Sequence, residues 1–494
     1  MAVVLLLLVP LAAAAATFFL RRQRWIEMTH LGSAAAVFVS AALLARDVVA
    51  TGPASFFDGF FYADALSALV ALLTGMVYLA VAVYSIGYFR GPAGPEGGSV
   101  ALGADELRKH SALTHVFVFT LLLVPLTGNL GVMWVALEGA TLASVFLVAF
   151  RGKPTSLEAA WKYAILGGVG LSMALFGTIL TYYAAYRATG METWGALNWP
   201  FLLAASRGFD PLVMRLAFIL VLLGYGTKAG LAPMHTWKPD AYSEAPAPTA
   251  ALMATAMLNS ALYGLARFSL LTGASAGAAF PSNLLVIFGA LSIAVAAPFI
   301  LVQRSALRLL AYSSIEHCGI ISLGLGFGGA LGSLGAVLHL LFHSIAKPLL
   351  FFCAGNLQRH TGNDTLRKQA SGLIHVMPVT GAALFAAALA VTGTPPFALF
   401  LSEFTVLRAG VARGLFWVAM LVIALLVAIF AGLFSHVSRL VFGPPPDMGR
   451  GDRDPWTTYP LPVLALALLV FSFWMPAPPM SLLRGAAGLL EVRP

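Results

Sequence analysis

The chain has 494 residues, of which 60% are hydrophobic and only 10% are charged. Soluble proteins carry about 25% charged residues, so the composition excludes an ordinary soluble protein and indicates one that lies in a membrane. The net charge of +9 comes with no Lys/Arg-rich arm or aromatic stacking platform, which argues against a nucleic-acid partner. The cysteines Cys318 and Cys353 are too few for an iron–sulfur cluster or a four-cysteine metal site. We therefore expect no cofactor and no metal in this chain, and we assign any redox chemistry to a partner.

Long apolar runs are distributed along the whole chain. Since one membrane crossing needs about 20 mainly apolar residues, roughly 14 crossings fit, and we predict an all-α polytopic membrane protein. The first run is followed, rather than preceded, by Arg21, Arg22 and Arg24, so we expect a membrane helix there and not a cleavable signal peptide. The clearest runs are Val3–Leu20, Leu66–Val83, Ala112–Val124, Leu216–Tyr225, Leu284–Val302, Phe416–Phe434 and Leu461–Phe473.

Lysine and arginine are unevenly shared between the two sides of these crossings. Residues such as Arg151, Lys153, Arg304 and Arg308 fall on a side that holds roughly twice as many basic residues as the other. Because cytoplasmic loops carry the excess of basic residues, both termini are predicted to lie outside the cytoplasm, in a cell membrane.

Glycine and proline interrupt two of the apolar spans. The first interrupted span runs from Gly224 to Pro248 and contains Lys228 shortly before Pro233. The second, ALAVTGTPPFALFLSEF at 388–404, has a double proline before Glu403. The two breaks lie about 165 residues apart, and paired breaks of this kind point to a transport site between two structural repeats.

The segment HLLFHSIAKPLLFF at 339–352 carries titratable residues inside an apolar run. His339, His343 and Lys347 are spaced by four, so on a helix they form one stripe with about 6 Å between neighbours. Pro348 has no N–H and leaves the Ser344 carbonyl without its helical partner. A single buried histidine is often structural, but three titratable groups in register favour a functional stripe.

Six ionisable residues cannot reach an interface: Glu138, Lys228, His339, His343, Lys347 and Glu403. A charge at the bilayer centre costs on the order of 3 kcal/mol, so we expect these groups to pair with one another or to meet water. Approach of Glu138 and Lys228 would stabilise both charges, and their separation would favour the neutral forms. This pair is predicted to act as a proton switch, with a purely structural ion pair as the alternative.

Two further pairs have simpler interpretations. Glu316 and His317 lie near the cytoplasmic end of their span and are candidates either for a direct role or for interface anchors. Glu158 and Lys162 are four residues apart near a helix start, which favours an ordinary surface ion pair. Even so, Lys162 is expected to point into the bundle, where it would tune the Glu138–Lys228 pair.

The string GLGFGG at 324–329 satisfies a nucleotide-binding pattern, but no strand precedes it and no acidic residue follows at the required distance. We therefore expect a helix end there and no nucleotide site.

Several strings together resemble one family of membrane subunits. They are MWVALEGATLASVFLVAF, KAGLAPMHTWKPDAYSEAP, RLLAYSSIEHCGIISLG, HLLFHSIAKPLLFF and TGTPPFALFLSEF. They resemble the antiporter-like proton-translocating subunits shared by respiratory complex I, multisubunit Na⁺/H⁺ antiporters and membrane-bound hydrogenases, and most closely the hydrogenase-4 component F type. The resemblance covers most of the chain, and several independent strings carry it.

The resemblance implies 14 helices with two inverted five-helix repeats, each containing a broken helix. It implies four parts: helices 1–3 at 1–110, helices 4–8 at 111–272, helices 9–13 at 273–443, and a cytoplasmic loop with the final helix at 444–494. Glu138 matches the family's helix-5 glutamate, and Lys228 matches the lysine of the first broken helix. The stripe of His339, His343 and Lys347 matches the central relay, and Glu403 matches the terminal group of the second broken helix.

Three positions depart from the pattern of these relatives. Where many place a lysine on the eighth helix this chain has Asn259, and where others place a histidine it has Ala254. Bound water is therefore expected to bridge the gap, with Asn259 orienting it. Lys238 stands where relatives often have an apolar residue, and the sequence assigns it no role.

The resulting hypothesis is a proton-translocating membrane subunit of a complex I-like oxidoreductase of the group 4 hydrogenase or formate hydrogenlyase type. Its expected partners are other membrane subunits and a peripheral iron–sulfur redox arm. A Na⁺/H⁺ antiporter subunit without redox coupling and an inactive membrane scaffold are the two alternatives. The chain is expected to have no redox centre of its own, so whether it counts as an enzyme depends on the complex.

Overall fold

The computed structural model describes residues 2–90, 101–362, 371–444, 449 and 451–491, and these fold almost entirely into helices. The first part contains α1 (Ala2–Phe19), α2 (Gln23–Thr51), α3 (Ala65–Phe89) and α4 (Ala104–Leu126). A hairpin of β1 (Ala54–Phe56) and β2 (Phe61–Ala63) pairs antiparallel between α2 and α3. The sequence analysis did not predict this hairpin, since strands of three residues give no periodic signal.

The middle of the chain continues the helical order and includes the first break. Its helices are α5 (Leu130–Val148), α6 (Pro154–Thr189), α7 (Trp199–Ala205), α8 (Pro211–Ala229), α9 (Trp237–Glu244), α10 (Ala247–Leu252) and α11 (Leu258–Ala276). A π-helical turn, Met253–Met257, joins α10 to α11. The interrupted span predicted from Gly224 to Pro248 is therefore confirmed as α8, an irregular stretch and α9.

The last part contains the long central helix and the second break. Its helices are α12 (Ala279–Val302), α13 (Ala306–Phe327), α14 (Gly329–Thr361), α15 (Leu373–Val376), α16 (Pro378–Val391), α17 (Ala398–Ala412), α18 (Phe416–Phe442), α19 (Pro455–Thr458), α20 (Pro460–Phe473) and α21 (Ala477–Leu490). Helix α14 runs through Pro348 without ending. The GLGFGG string lies at the α13–α14 junction, as expected, where Gly328 and Gly329 both have φ of 62°.

Several helices begin where a polar side chain accepts hydrogen bonds from the first free backbone N–H groups. Asp64 caps α3 by accepting from the Ser67 N–H, and Asn129 caps α5 through the N–H groups of Gly131 and Val132. Asp210 does the same for α8, where Pro211 occupies the first turn. Such caps satisfy N–H donors that have no partner within the helix, and they fix the residue at which each helix begins.

Twelve helices in the described part of the chain are long and apolar enough to cross a membrane. The sequence predicted about 14. Two further regions fall outside this count: α13 is long enough but carries Glu316, His317 and several serines, and α16 and α17 are each short because the chain breaks between them. The outer helices expose apolar side chains such as Trp161, Phe176 and Val427, as a chain surrounded by lipid requires.

The polar stripe lies at the centre of the bundle. The most apolar 18-residue window of α14 is 94% buried, and the corresponding window of the segment Ala247–Ala276 is 100% buried. Helix α14 contacts α3, α10, α13, α16 and α17. Side chains on every face of α14 are therefore enclosed by protein rather than by lipid.

Helices α6 and α8 approach closely at Gly224. A Cβ added there would overlap the Gly170 carbonyl oxygen and lie 2.5 Å from Ala174 Cβ. We expect Gly224→Ala to lower the free energy of unfolding by about 1–3 kcal/mol, measured as thermal unfolding in detergent. Gly168→Ala on α6 is the control, because no described atom lies within 4 Å of the added Cβ. Equal destabilisation by both changes would show that the close approach does not limit stability.

Candidate functional site

The first helix break places Lys228 in the last turn of α8. Gly230 ends the helix with φ of 82°, a conformation that glycine adopts without strain. The Trp237 indole donates to the Thr227 carbonyl over 2.8 Å, which satisfies a backbone group that the break would leave free. The same indole stacks on Tyr163 of α6 with ring centroids 4.4 Å apart. Side chains from α6 and α9 therefore hold the break in place.

The Lys228 amine is buried among hydroxyl groups. It is 1% exposed, and it donates to Thr141 Oγ1 at 2.8 Å and to the Tyr163 hydroxyl at 2.5 Å. Tyr163 also contacts Ser144 Oγ at 2.7 Å. Since hydroxyls both donate and accept, this arrangement can hold either protonation state of the amine.

Glu138 does not form the expected direct pair with Lys228. Its carboxylate lies on α5, one helical turn before Thr141, and the eight ion pairs found among the described residues do not include it. Its Oε2 is buried without a hydrogen-bond partner in the described part of the chain. The Lys228 amine thus contacts Thr141, one turn after Glu138 on α5, rather than the Glu138 carboxylate itself.

The stripe predicted at 339–347 is confirmed as one buried face of α14. His339, His343 and Lys347 are all 0% exposed. The Lys347 amine donates to Ser313 Oγ at 2.8 Å and to the Leu310 carbonyl at 3.3 Å, both on α13. The second amine of the site is therefore also held by neutral oxygen atoms.

Imidazole rings connect α13, α14 and α17. His317 Nδ1 and His339 Nε2 are 2.9 Å apart, and His339 Nδ1 is 2.9 Å from Ser402 Oγ. The His343 ring lies 5.2 Å from that of His317, and neither of its nitrogens has a partner among the residues that the structure describes. A neutral imidazole accepts at one nitrogen and donates at the other, so this chain of contacts is suited to proton exchange.

Glu403 lies just after the second break, at the end of the imidazole chain. It is 7% exposed, and its Oε1 has no hydrogen-bond partner within the described ranges. Gly393, with φ of 61°, approaches so closely that a Cβ there would overlap the Glu403 carboxylate. Thr392, Phe404 and Phe430 line a cavity beside this carboxylate, which gives the buried chain a point of contact with the outside of the bundle.

Three of these groups could also hold a metal ion. A carboxylate oxygen of Glu403 and one ring nitrogen each of His317 and His339 lie within 4.8 Å of one another. Two imidazoles and a carboxylate form a ligand set that zinc accepts. The sequence analysis assigned no metal here, because it did not place His317 beside the other two residues.

Glu316 and His317 are not interface anchors, and that alternative from the sequence is wrong. They are 1% and 0% exposed, because α14 and α17 cover this turn of α13. Both Glu316 carboxylate oxygens lack a hydrogen-bond partner in the described part of the chain. The burial of a residue depends on which helices pack over it. The position of Glu316 and His317 near the end of their own helix therefore did not predict their burial.

Lys162 forms the predicted ion pair with Glu158, at 2.7 Å, but it does not point into the bundle as expected. Its side chain is 49% exposed and also contacts Asp240 of α9 at 3.2 Å. Lys162 therefore ties α6 to α9 at the surface, and Tyr163 is the α6 residue that reaches Lys228.

Asn259 bridges α11 and α14 in place of the missing titratable group. Its Nδ2 donates to Ser344 Oγ at 2.8 Å, and its buried Oδ1 has no partner within the described residues. That free oxygen is a suitable acceptor for water. The bridging water itself stays a prediction.

Sequence reasoning missed the neutral groups that contact the charges. Thr141, Tyr163, Ser313 and Ser402 supply the hydroxyls around both amines and His339. A partial signal was present, since Thr141 follows Glu138 by three residues and Ser402 directly precedes Glu403. Nothing in the sequence indicated which serines of α13 face α14.

Comparison with known proteins identifies relatives over most of the chain. Residues 127–428 match the family described as NADH:quinone oxidoreductase/Mrp antiporter, TM. A hydrogenase-4 component F homolog from Methylacidiphilum infernorum is 38% identical over 420 residues, covering 85% of this chain and 86% of the relative. NADH-quinone oxidoreductase subunit N from Desulforudis audaxviator is 34% identical over 372 residues, covering 74% and 70%.

Solved structures agree with these sequence matches. A chain of the membrane-bound sulfane sulfur reductase, an archaeal respiratory membrane complex, superposes with a TM-score of 0.87 at 25% identity, over 99% of this chain and 97% of that one. A chain of respiratory complex I from Thermus thermophilus gives a TM-score of 0.77 at 27% identity, over 98% and 100%. The Mrp complex of Dietzia sp. shares the fold, with a TM-score of 0.85 at 19% identity over 99% and 97%.

Proposed function

The chain belongs to the NADH:quinone oxidoreductase/Mrp antiporter family of membrane subunits, and we propose that it moves protons through its own buried charges in a complex I-like oxidoreductase. The type that we propose is a group 4 hydrogenase or formate hydrogenlyase, in line with its 38% identity to a hydrogenase-4 component F homolog. One observation carries the proposal: almost fully buried amines, imidazoles and carboxylates follow one another from Lys228 to Glu403. Buried ionisable groups in a membrane are costly and typically mark ion or proton pathways.

In this proposal the path begins at Glu138 and ends at Glu403. A redox event in a partner subunit changes the charge near Glu138, and the Lys228 amine, which donates to Thr141 one turn after Glu138 on α5, responds to that change. The change continues to Lys347 and the histidines of α14, and a proton leaves at Glu403. Moving one charge across 100 mV takes about 2.3 kcal/mol, which a modest redox drop can supply.

We propose that α13 and the broken pair α16 and α17 also cross the membrane. Added to the 12 apolar helices, these two crossings give the roughly 14 that length and composition suggest. Helices 4–8 and 9–13 then form two inverted repeats at 111–272 and 273–443, each with one broken helix. The breaks between Ala229 and Trp237 and between Val391 and Ala398 support this division, since such breaks occur in corresponding positions of transporter repeats.

The proposed partners are further membrane subunits and a peripheral arm that carries iron–sulfur clusters. Relatives named as components of hydrogenase-4 and of NADH-quinone oxidoreductase support this assembly. The excess of basic residues on one side supports an orientation with both termini outside the cytoplasm of a bacterial or archaeal cell. The subunit would then supply the proton path, while its partners supply the electrons.

Ion movement in vesicles that contain the purified complex tests this function. We expect an electron donor to drive proton movement, recorded with a pH-sensitive dye, and the rate to be the same with and without sodium. Sodium uptake driven by a proton gradient with no electron donor would instead identify an antiporter. Undiminished proton movement after Glu138, Lys347 and Glu403 are all made apolar would identify a scaffold, because a whole buried ionic set can be replaced without loss of stability.

A further inference from the structure

A third buried amine, that of Lys238, lies between the two halves of the site. Lys238 is on α9, directly after the first break, and is 0% exposed. Its Nζ donates to the Ala229 carbonyl at 2.8 Å and lies 3.5 Å from the Ser314 carbonyl. It also lies 5.5 Å from the centre of the Tyr242 ring. These neighbours stabilise a positive charge without neutralising it.

The two carbonyls that contact Lys238 belong to residues beside the other two amine sites. Ala229 follows Lys228 directly, at the end of α8. Ser314 follows Ser313, whose hydroxyl accepts the hydrogen bond from Lys347. Lys238 thus contacts the backbone beside Lys228 on one side and the backbone beside the Lys347 partner on the other.

No carboxylate in the described part of the chain forms an ion pair with this amine. The ion pairs among the described residues use Lys162, Arg308 and Asp240 around the same helix, but none includes Lys238. Asp240 lies two residues after Lys238 and holds α9 from the surface by contacts to α6 and α13. These surface contacts already anchor α9, while its Lys238 side chain points inward. Anchoring the helix therefore does not require the Lys238 amine to be buried.

A close glycine contact shapes the space around Lys238. A Cβ at Gly230 would lie 2.6 Å from Lys238 Cδ and 3.0 Å from its Nζ. The amine is therefore pressed against the turn that ends α8. A buried, unpaired amine in a membrane protein is costly, and a hydrophobic residue at this position would avoid that cost.

We propose that Lys238 is a further titratable residue of the path, which carries charge between Lys228 and Lys347. This inference rests on the proposed function. As a neutral amine, Lys238 accepts one proton that the Lys228 ammonium gives up, with bound water as the bridge. It then releases that proton toward Lys347 and returns to the neutral form, so one proton has moved and no other bond has changed. Lysine suits this step because its charge state responds readily to burial.

Three substitutions separate this role from a structural one. In the purified complex in vesicles, we expect Lys238→Met to assemble normally and to lower redox-driven proton movement about tenfold or more. Lys238→Arg should lose as much, because a guanidinium keeps its charge and does not release a proton. Lys162→Met is the control, since its side chain is half exposed, and it should retain the wild-type rate.

The pH profile of the residual proton movement provides a second readout. Removing a titratable amine should change that profile, whereas a structural lysine would leave its shape unaltered. Among the described residues, the titratable groups that interact with Lys238 are His235 of the first break, Tyr242 of α9, His317 and Cys318 of α13, and His343 and Lys347 of α14. These groups also titrate, and they are present in both proteins. The pH profile of the Lys238→Met variant is therefore compared with that of the wild type.

Wild-type proton movement and an unchanged pH profile in Lys238→Met would overturn the inference. Proton movement at the wild-type rate in Lys238→Arg would also overturn the inference, since a fixed positive charge at this position would then support proton movement. If the methionine variant does not assemble, Lys238→Gln replaces it in the test, because glutamine retains an N–H donor for the Ala229 carbonyl. Failure of both variants to assemble would show that Lys238 is needed for folding and would also overturn the inference. If the proposed function itself is wrong, either wild-type vesicles will show no proton movement driven by the electron donor, or the variant with Glu138, Lys347 and Glu403 all made apolar will move protons at the wild-type rate.

Discussion

Replacing Lys228 by alanine should lower redox-driven proton movement by about 100-fold or more, to the background leak of the vesicles. The alanine removes the amine that contacts Thr141 and Tyr163 at the first break. No other described basic group donates to those two hydroxyls, so Glu138 would have no amine with which to exchange charge. Electron transfer, measured separately, should slow less than proton movement does.

The control for this experiment is Lys162→Ala on the neighbouring helix. Lys162 is half exposed, and its ion pairs within the described residues are with Glu158 and Asp240. Exposed ion pairs of this kind contribute little to stability. We expect its rate to match the wild type. Proton movement that survives Lys228→Ala at the wild-type rate, in a complex that assembles normally, would remove Lys228 from the path.

The second large effect concerns stability at the contact between the start of α3 and α11. Arg267→Met should lower the free energy of unfolding by about 3–5 kcal/mol, because it leaves a buried carboxylate without its partner. Arg267 donates to Asp64 Oδ1 at 2.7 Å, and both residues are 1% exposed. The guanidinium also lies over the rings of Trp199 and Tyr263, at 4.5 and 4.8 Å from their centres. Thermal unfolding of the purified chain in detergent measures the loss.

The pH dependence of this loss gives the prediction a direction. Burial alone would raise the pKa of Asp64, but the Arg267 charge and hydrogen bonds outweigh it and hold that pKa below the usual value. The wild-type pair therefore contributes stability above the ordinary pKa of aspartate, and this contribution is lost as the pH falls. Without Arg267, burial raises the pKa of Asp64 and only the Ser67 hydrogen bonds oppose it, so the variant should be closest to wild type in acid.

Arg46→Met is the matched control for Arg267→Met. Arg46 pairs with Asp47 at 2.9 Å, but the two side chains are 72% and 54% exposed, so the change should cost no more than about 1 kcal/mol. If Arg46→Met and Arg267→Met are equally stable, the buried pair does not hold the start of α3 to α11.

The broken helices and the central stripe could be predicted because each depends on local chemistry. Gly393 and the double proline before Phe397 disfavour a continuous helix, and the chain does break between α16 and α17. His339, His343 and Lys347 follow the helical period, and that period places them on one face of α14. These features need no knowledge of which helices are neighbours.

The contacts between helices could not be predicted in the same way. Lys238 and Lys162 are both lysines near the same break, yet the first is fully buried and the second is half exposed. The difference arises because α9 packs its Lys238 side against α13, while Asp240 draws Lys162 and Arg308 to the surface. A single sequence contains the period of each helix but not the rotation of one helix against the next.

The absence of a direct Glu138–Lys228 ion pair follows from the same limit. The sequence placed opposite charges on two spans, and attraction between them was the simplest expectation. In the structure Thr141 from α5 and Tyr163 from α6 contact the amine instead. Hydroxyl groups are common packing residues in membrane helices, so their presence in the sequence did not reveal which ones meet a charge.

An experimental density map of this chain in its complex, at a resolution that shows ordered water, tests the central claim most directly. Glu138 Oε2, Asn259 Oδ1, both nitrogens of His343 and Glu403 Oε1 are buried without partners among the described residues, and buried polar groups of this kind are usually satisfied by water. The account predicts ordered waters at these atoms, joined into a path from Lys228 past Lys238 to Glu403. Dry, apolar packing around them, with no water between the amines, would contradict it.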